Sequence, residues 1–167
     1  MPGLLDSPVL SRIRRNHGLE HATIHVLSRR FPGVSLAGHS DALGFWLMGE
    51  LDTEAVADGV VAALERLRAG EADLAIHPGC GTNYATSGVA AGLAAGIAFY
   101  GARRRKDWWE RLPLAALFAT AALIFAQPLG FRLQKRVTTS GTPGALRVTL
   151  VMRHDGPVTA HRITTEG

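Results

Sequence analysis

One cysteine, Cys80, is all the thiol chemistry in this 167-residue chain. No internal disulfide can form, so the fold takes nothing from an oxidising compartment. Internal repeats, linkers and low-complexity tracts are missing too, and the length suits one domain with a small core and appendages. The N-terminal "MPGLLDSPVLSRIRRNH" has no apolar stretch behind a basic start, so no signal peptide is expected there. Charge is absent altogether from two long stretches, Tyr84 to Ala102 and Leu112 to Phe131.

Those two stretches are 19 and 20 residues long. At ~1.5 Å per helical residue each spans roughly 30 Å, the thickness of a hydrocarbon core. Together they read as a transmembrane helical hairpin. Between them lies "RRRKDWWER", whose basic residues and paired Trp108 and Trp109 suit a membrane interface. The formal charge of +4 therefore reads as membrane flanks beside apolar runs, not as a nucleic-acid surface. Gly88, Gly92 and Gly96, four apart, allow close helix contact in lipid, including contact with a second copy in a homodimer.

The remaining sequence alternates helical and strand patterns. Ser7 to Arg30 reads as a helix, with Ser7 as cap and Pro8 in its first turn, stopped by "FPG" at Phe31 to Gly33. Leu10, Ile13, His17, His21, Ile24 and Ser28 share one face, while Leu19, Ala22, Thr23 and Val26 hold the opposite side. A helix with two such sides is expected to be covered on both. Val34 to Ala37 and Phe45 to Leu51 read as a hairpin with a longer loop. A second helix follows from a Thr53 cap to Gly70, with Ala55, Val56, Val60, Ala63, Leu64 and Leu67 as its apolar stripe. "ADLAIHPGCGTN" reads as a short strand running into a turn-rich loop. After "LQKR", the runs "ALRVTLVMR" and "PVTAHRITT" flank Asp155 and Gly156, a two-residue hairpin signal.

The fold class expected is therefore α+β: a small sheet with an N-terminal His-bearing helix and a second helix, interrupted by the two-helix transmembrane hairpin. Residues 1–83 supply the first part, 84–131 the hairpin and 132–167 the strands that complete the sheet. Both ends of a hairpin emerge on one side, so the two soluble halves can share one sheet. Arg103, Arg104, Arg105, Lys106 and Arg111 on the connecting loop nearly balance Arg132, Lys135, Arg136 and the more distant Arg66 and Arg68. With no leader, the reading leans to a multi-pass protein of the bacterial inner membrane whose soluble domain is cytoplasmic.

The chemistry concentrates in "RNHGLEHATIHVL". His17 and His21 lie one helical turn apart, which lets two imidazoles hold one metal ion. With Glu20 they spell H-x-x-E-H, the inverted zincin pattern, in which the glutamate takes a proton from the water that attacks a carbonyl. His25 stands one turn further on, where it can pair with His21 or act behind the ligands. A third ligand is expected from His77 or Cys80 in "HPGCGTN", with Glu50 as another candidate. Zinc is the ion expected, or another divalent transition metal. The competing reading lines a half-buried helix face with histidines bonded to backbone or to Glu20, and leaves Cys80 a small buried hydrophobe. His39, His154 and His161 are expected at the surface or in turns.

"RNHGLEHATIHVL", "HPGCGTN", the paired apolar segments and the tail from "QKRVTTS" to "HRITT" together resemble an uncharacterised family of small bacterial membrane proteins, known as a domain of unknown function. That resemblance runs from about Arg14 to Thr164 and implies a membrane location. Locally, His17, Glu20 and His21 resemble the metal helix of the inverted zincins of the pitrilysin type. This likeness spans five residues and implies His17 and His21 as zinc ligands with Glu20 as general base. Those enzymes take their third ligand from a distant glutamate, for which no counterpart is assigned here.

Three functions remain open from sequence. The chain is a membrane-anchored zinc-dependent hydrolase acting on peptides near the bilayer, a non-catalytic metal-binding membrane protein, or a structural partner-binding protein without metal.

Overall fold

The computed structural model describes residues 7–167; residues 1–6, the start of the segment read above as lacking a signal peptide, lie outside the described residues. The chain divides into two units, residues 1–77 with 135–167, and residues 78–134.

The first unit begins with α1, Pro8–Arg30, capped by Ser7, whose hydroxyl accepts from the Leu10 amide at 3.4 Å. Residues 18–24 of α1 are buried without interruption, as expected for a helix with two covered sides. β1 (Ala37–Asp41) and β2 (Gly44–Met48) follow, then α2 (Thr53–Arg68) and a 3-10 turn at Ala72–Ala75. β3 (Arg147–His154) and β4 (Ala160–Glu166) close the unit. All pairings are antiparallel, in the order β1-β2-β4-β3. The halves that flank residues 78–134 in sequence thus join in one sheet, through pairs such as Phe45 with Ile163 and Leu47 with His161.

Strand alternation sorts the sheet faces. Phe45, Leu47, His161, Ile163 and Thr165 are buried, whereas Trp46 and Arg162 stand on the other face, the guanidinium 5.4 Å from the indole centroid. The core joins Leu19, Ala22 and Leu27 of α1 to Val56, Val60, Ala63 and Leu67 of α2 and to Phe45, Leu47 and Ile163 of the sheet. Asn16, fully buried, ties α1 to the first and last strands of the chain: its amide donates to the Asp41 carbonyl at 2.8 Å and accepts from the Thr165 hydroxyl at 2.7 Å.

Several local expectations need correction. The first strand lies at Ala37–Asp41, not Val34–Ala37, and its turn is tight, because Asp41 Oδ1 accepts from the Leu43 amide at 2.7 Å and Gly44 pairs directly with Asp41. Asp52, not Thr53, is the N-cap of α2, and Thr53 Oγ1 instead lies 3.3 Å from His161 Nε2. Ala72–Ala75 forms a 3-10 turn and not a strand. In the last hairpin His154 pairs with Ala160, leaving residues 155–159 as the loop. Asp155 cannot serve a two-residue turn there: its carboxylate holds Arg153 at 2.7 Å, and Pro157 supplies no amide for a ladder.

The second unit contains α3 (Gly81–Phe99) and α4 (Arg105–Leu133), packed on each other, and a π turn at Gln134–Thr138 follows α4 where the chain returns to the first unit. Among the described residues one helix, Arg105–Thr138, is long and apolar enough to cross a membrane. The expected two-helix transmembrane hairpin, and with it the multi-pass location, is corrected accordingly. The cause is visible in α3, whose first turns carry Thr82, Asn83, Thr86 and Ser87. Asn83 is tied into a polar cluster, donating to the Pro78 carbonyl at 2.9 Å and accepting from Gln134 Nε2 at 2.7 Å. A side chain at Gly88, Gly92 or Gly96 would meet nothing within 4 Å, so these glycines do not mark the contact with α4. In the connecting turn Asp107 Oδ2 accepts from the Arg103 and Arg104 amides at 3.1 and 3.0 Å, and Trp108 stacks on Phe99 with centroids 4.6 Å apart. Outward residues of α4, Leu117 and Phe125 among them, are largely exposed.

Candidate metal centre

Helical spacing sets the two central imidazoles on neighbouring turns, and their ring centroids lie 4.4 Å apart. Each ring is oriented by a backbone carbonyl. His17 Nδ1 lies 2.9 Å from the Thr138 oxygen and His21 Nδ1 lies 2.8 Å from the Ala75 oxygen. A carbonyl only accepts, so each Nδ1 carries the proton and a neutral ring keeps its lone pair on Nε2. Metal-binding histidines are oriented in this way, the nitrogen opposite the metal donating to a fixed acceptor.

Gly18, between the two rings in sequence, is what allows the approach. A Cβ there would collide with the Ser140 carbonyl oxygen and crowd the Ala75 side chain. The Ser140 amide also donates to the Arg14 carbonyl at 2.9 Å, holding this segment against α1.

The row of rings continues past His21. His77 lies 5.7 Å from His21 and 5.0 Å from His25, centroid to centroid. His25 is turned the other way, its Nε2 2.9 Å from the Ile76 oxygen, so its Nδ1 keeps the lone pair. Burial, with the His25 charge adding to it, pushes the His77 imidazole below its ordinary proton affinity. A neutral imidazole is the form that ligates. His17, His21, His25 and His77 therefore stand as one cluster within the first unit.

The other expected participants fall as follows. Glu20 is buried, at 4 % exposure, and its carboxylate lies against Gly38 of β1, where any side chain would displace it. Cys80 is buried in the second unit as the N-cap residue of α3, three residues beyond His77. Glu50 instead accepts from the Thr159 hydroxyl at 2.7 Å. His39 and His154 lie outside the core, with His154 against the Trp46 ring, but His161 is fully buried on β4, contrary to expectation. Strand alternation with Ile163 and Thr165 was the signal that could have placed it inward. Asn16, Gly18 and the carbonyls of Ala75, Ile76 and Thr138 were not singled out from sequence. The carbonyls leave no side-chain signal at all.

Fold and site together define a class: an α+β sheet protein with a carbonyl-oriented imidazole cluster on its first helix and an apolar helix pair inserted in the chain. The chain belongs to DUF6391, a domain of unknown function, matched over residues 12–151. It is similar to an uncharacterized protein of Picosynechococcus sp. (strain ATCC 27264 / PCC 7002 / PR-6), 39% identical over 155 residues, which cover 84% of this chain and 70% of the relative. No solved structure matches the chain.

Proposed function

We propose that this protein binds zinc, or another divalent transition metal, beside a bilayer and uses it to hydrolyse peptides. The observation that carries the reading is the pair His17 and His21, whose Nδ1 atoms are both committed to carbonyls. The Nε2 atoms, one helical turn apart, are the lone-pair nitrogens that a single ion would take from the two rings. Cys80, the thiol expected from the sequence as a third ligand, is the residue proposed to complete the set with His17 and His21. Its tether supports this choice: three residues from His77 reach at most about 10 Å, and the His77 ring already packs on His21. Two imidazoles and a thiolate suit zinc, and three protein ligands leave one position open for chemistry.

The metal would supply the acidity, lowering the pKa of a water molecule from ~15.7 to about 7. Glu20, next to His21 in sequence, would take that water's proton, its carboxylate turning from Gly38 of β1 toward the pair. The Arg105–Thr138 helix is the anchor, and the exposed apolar residues on it support burial in lipid.

A second reading has one observation in its favour. His77 lies beside His21 and burial lowers its proton affinity, which favours the ligating form, so it can close the shell as a fourth ligand and make the site non-catalytic.

Elemental analysis of protein purified without a histidine tag tests the metal, and Glu20→Gln tests the chemistry. Expected are one zinc per chain, retained in Glu20→Gln, with peptide hydrolysis lost only in the variant. Wild-type protein without metal overturns the whole reading. Unchanged turnover in Glu20→Gln overturns the role of Glu20. A cobalt-substituted protein whose spectrum does not respond to added anions supports the closed four-ligand site.

A further inference from the structure

We propose that His25 and His77 form the path by which the metal ion reaches the His17–His21 pair from solvent; this rests on reading that pair as a metal site. His21 is 2 % exposed, so an ion cannot settle on it directly from water. His25, half-buried at the far end of the ring row, lines an open cleft of about 420 Å³ with Arg29, Arg66, Glu71, Asp73 and Ile76. From that cleft the rings follow in steps of 5.0 Å to His77, 5.7 Å to His21 and 4.4 Å to His17.

Those steps match ligand exchange. A zinc–imidazole bond is about 2.0–2.1 Å long, so an ion held by one ring can bond the next before leaving the first. At capture His25 replaces one water of the hydrated ion, which returns to the cleft; each later step forms one nitrogen–metal bond and breaks one. The ion is thus never stripped of all its ligands at once, which is the costly alternative for a divalent cation. The Ile76 carbonyl fixes which nitrogen His25 presents, since its Nε2 is the donor and Nδ1 the ligand. His25 is then neither a resident ligand nor a packing residue but the acceptor at the cleft.

The test uses full-length apo-protein in mild detergent, zinc from a chelator-buffered solution, and stopped-flow competition with a fluorescent zinc indicator. His25→Gln keeps a donor for the Ile76 carbonyl and removes the ligand nitrogen. Expected is a full equivalent of zinc at equilibrium, an unchanged melting temperature, and loading at least tenfold slower. Arg29→Trp, an exposed substitution on the rim, should also slow loading by narrowing the mouth. His21→Gln should bind no zinc at all. Loading of His25→Gln at the wild-type rate, or loss of its zinc at equilibrium, overturns the path. Absence of zinc from the wild-type protein instead overturns the metal site itself.

Discussion

His21 Nδ1 donates to the Ala75 carbonyl at 2.8 Å across 54 positions of sequence. A long-range bond thereby sets the direction of a ring that the helix alone would leave free to rotate. The same arrangement recurs at His17 with Thr138, so the two segments that cover α1 also aim its imidazoles. Orientation of the cluster and folding of the unit are one event, which makes the site sensitive to changes that touch no histidine.

Gly18 is the clearest such position. A methyl group there meets backbone, the Ser140 carbonyl, and not the tip of a flexible side chain. The segment carrying Thr138 would have to retreat and release His17 Nδ1. Gly18→Ala should therefore cost roughly 1–3 kcal/mol of stability, as overpacking does. It should also weaken zinc affinity by roughly 10–100-fold, as loss of an orienting partner does. Thermal unfolding and chelator competition measure the two. An alanine variant with wild-type zinc affinity would show that the carbonyl partners do not tune the site.

Stability should fall on mild acidification, and His161 should carry part of that fall. Burial lowers its proton affinity below the ordinary value of 6.5, the Arg153 and His154 charges lower it further, and Asp155 opposes them. The unfolded chain therefore takes up this proton at higher pH than the folded one. The stabilisation is complete above about pH 6.5 and is lost as pH drops through the folded value. Thermal midpoints of the apo-protein at about pH 7.5 and about pH 5.5 measure the loss. His161→Gln should flatten the profile, with His77, shifted in the same direction, supplying what remains. An equally steep profile in His161→Gln would remove His161 from the account.

The spacing of His17 and His21 is legible in the sequence because it depends on helix geometry alone. That the strands on both sides of the inserted helices share one sheet is legible too, although the pairing of β2 with β4 is seen only in the structure. Roles that depend on which distant segment arrives are not. Gly18 and Gly38 read as ordinary glycines until Ser140 and Glu20 lie against them. The run Val34 to Ala37 resembles a strand, but the Asp41 side chain fixes the turn and the strand begins at Ala37, where the expected one ended. Absence of charge marked α3 and α4 equally, and charge was the wrong criterion: the polar first turns of α3 separate the two.

Leu117 lies near the middle of α4 and is 63 % exposed. The two environments open to that helix predict opposite results for Leu117→Lys. If α4 lies in lipid, a lysine at its centre costs roughly 2.5–3.5 kcal/mol of insertion free energy. Membrane-fraction recovery and thermal stability in nanodiscs should then both drop, while zinc content of the protein that does insert stays at the wild-type level. If α4 instead faces water, replacing an exposed leucine with lysine stays within about 0.5 kcal/mol and improves solubility. We expect the first outcome. Recovery of Leu117→Lys in the soluble fraction, folded and with its metal bound, would show that the apolar helix is not a bilayer anchor.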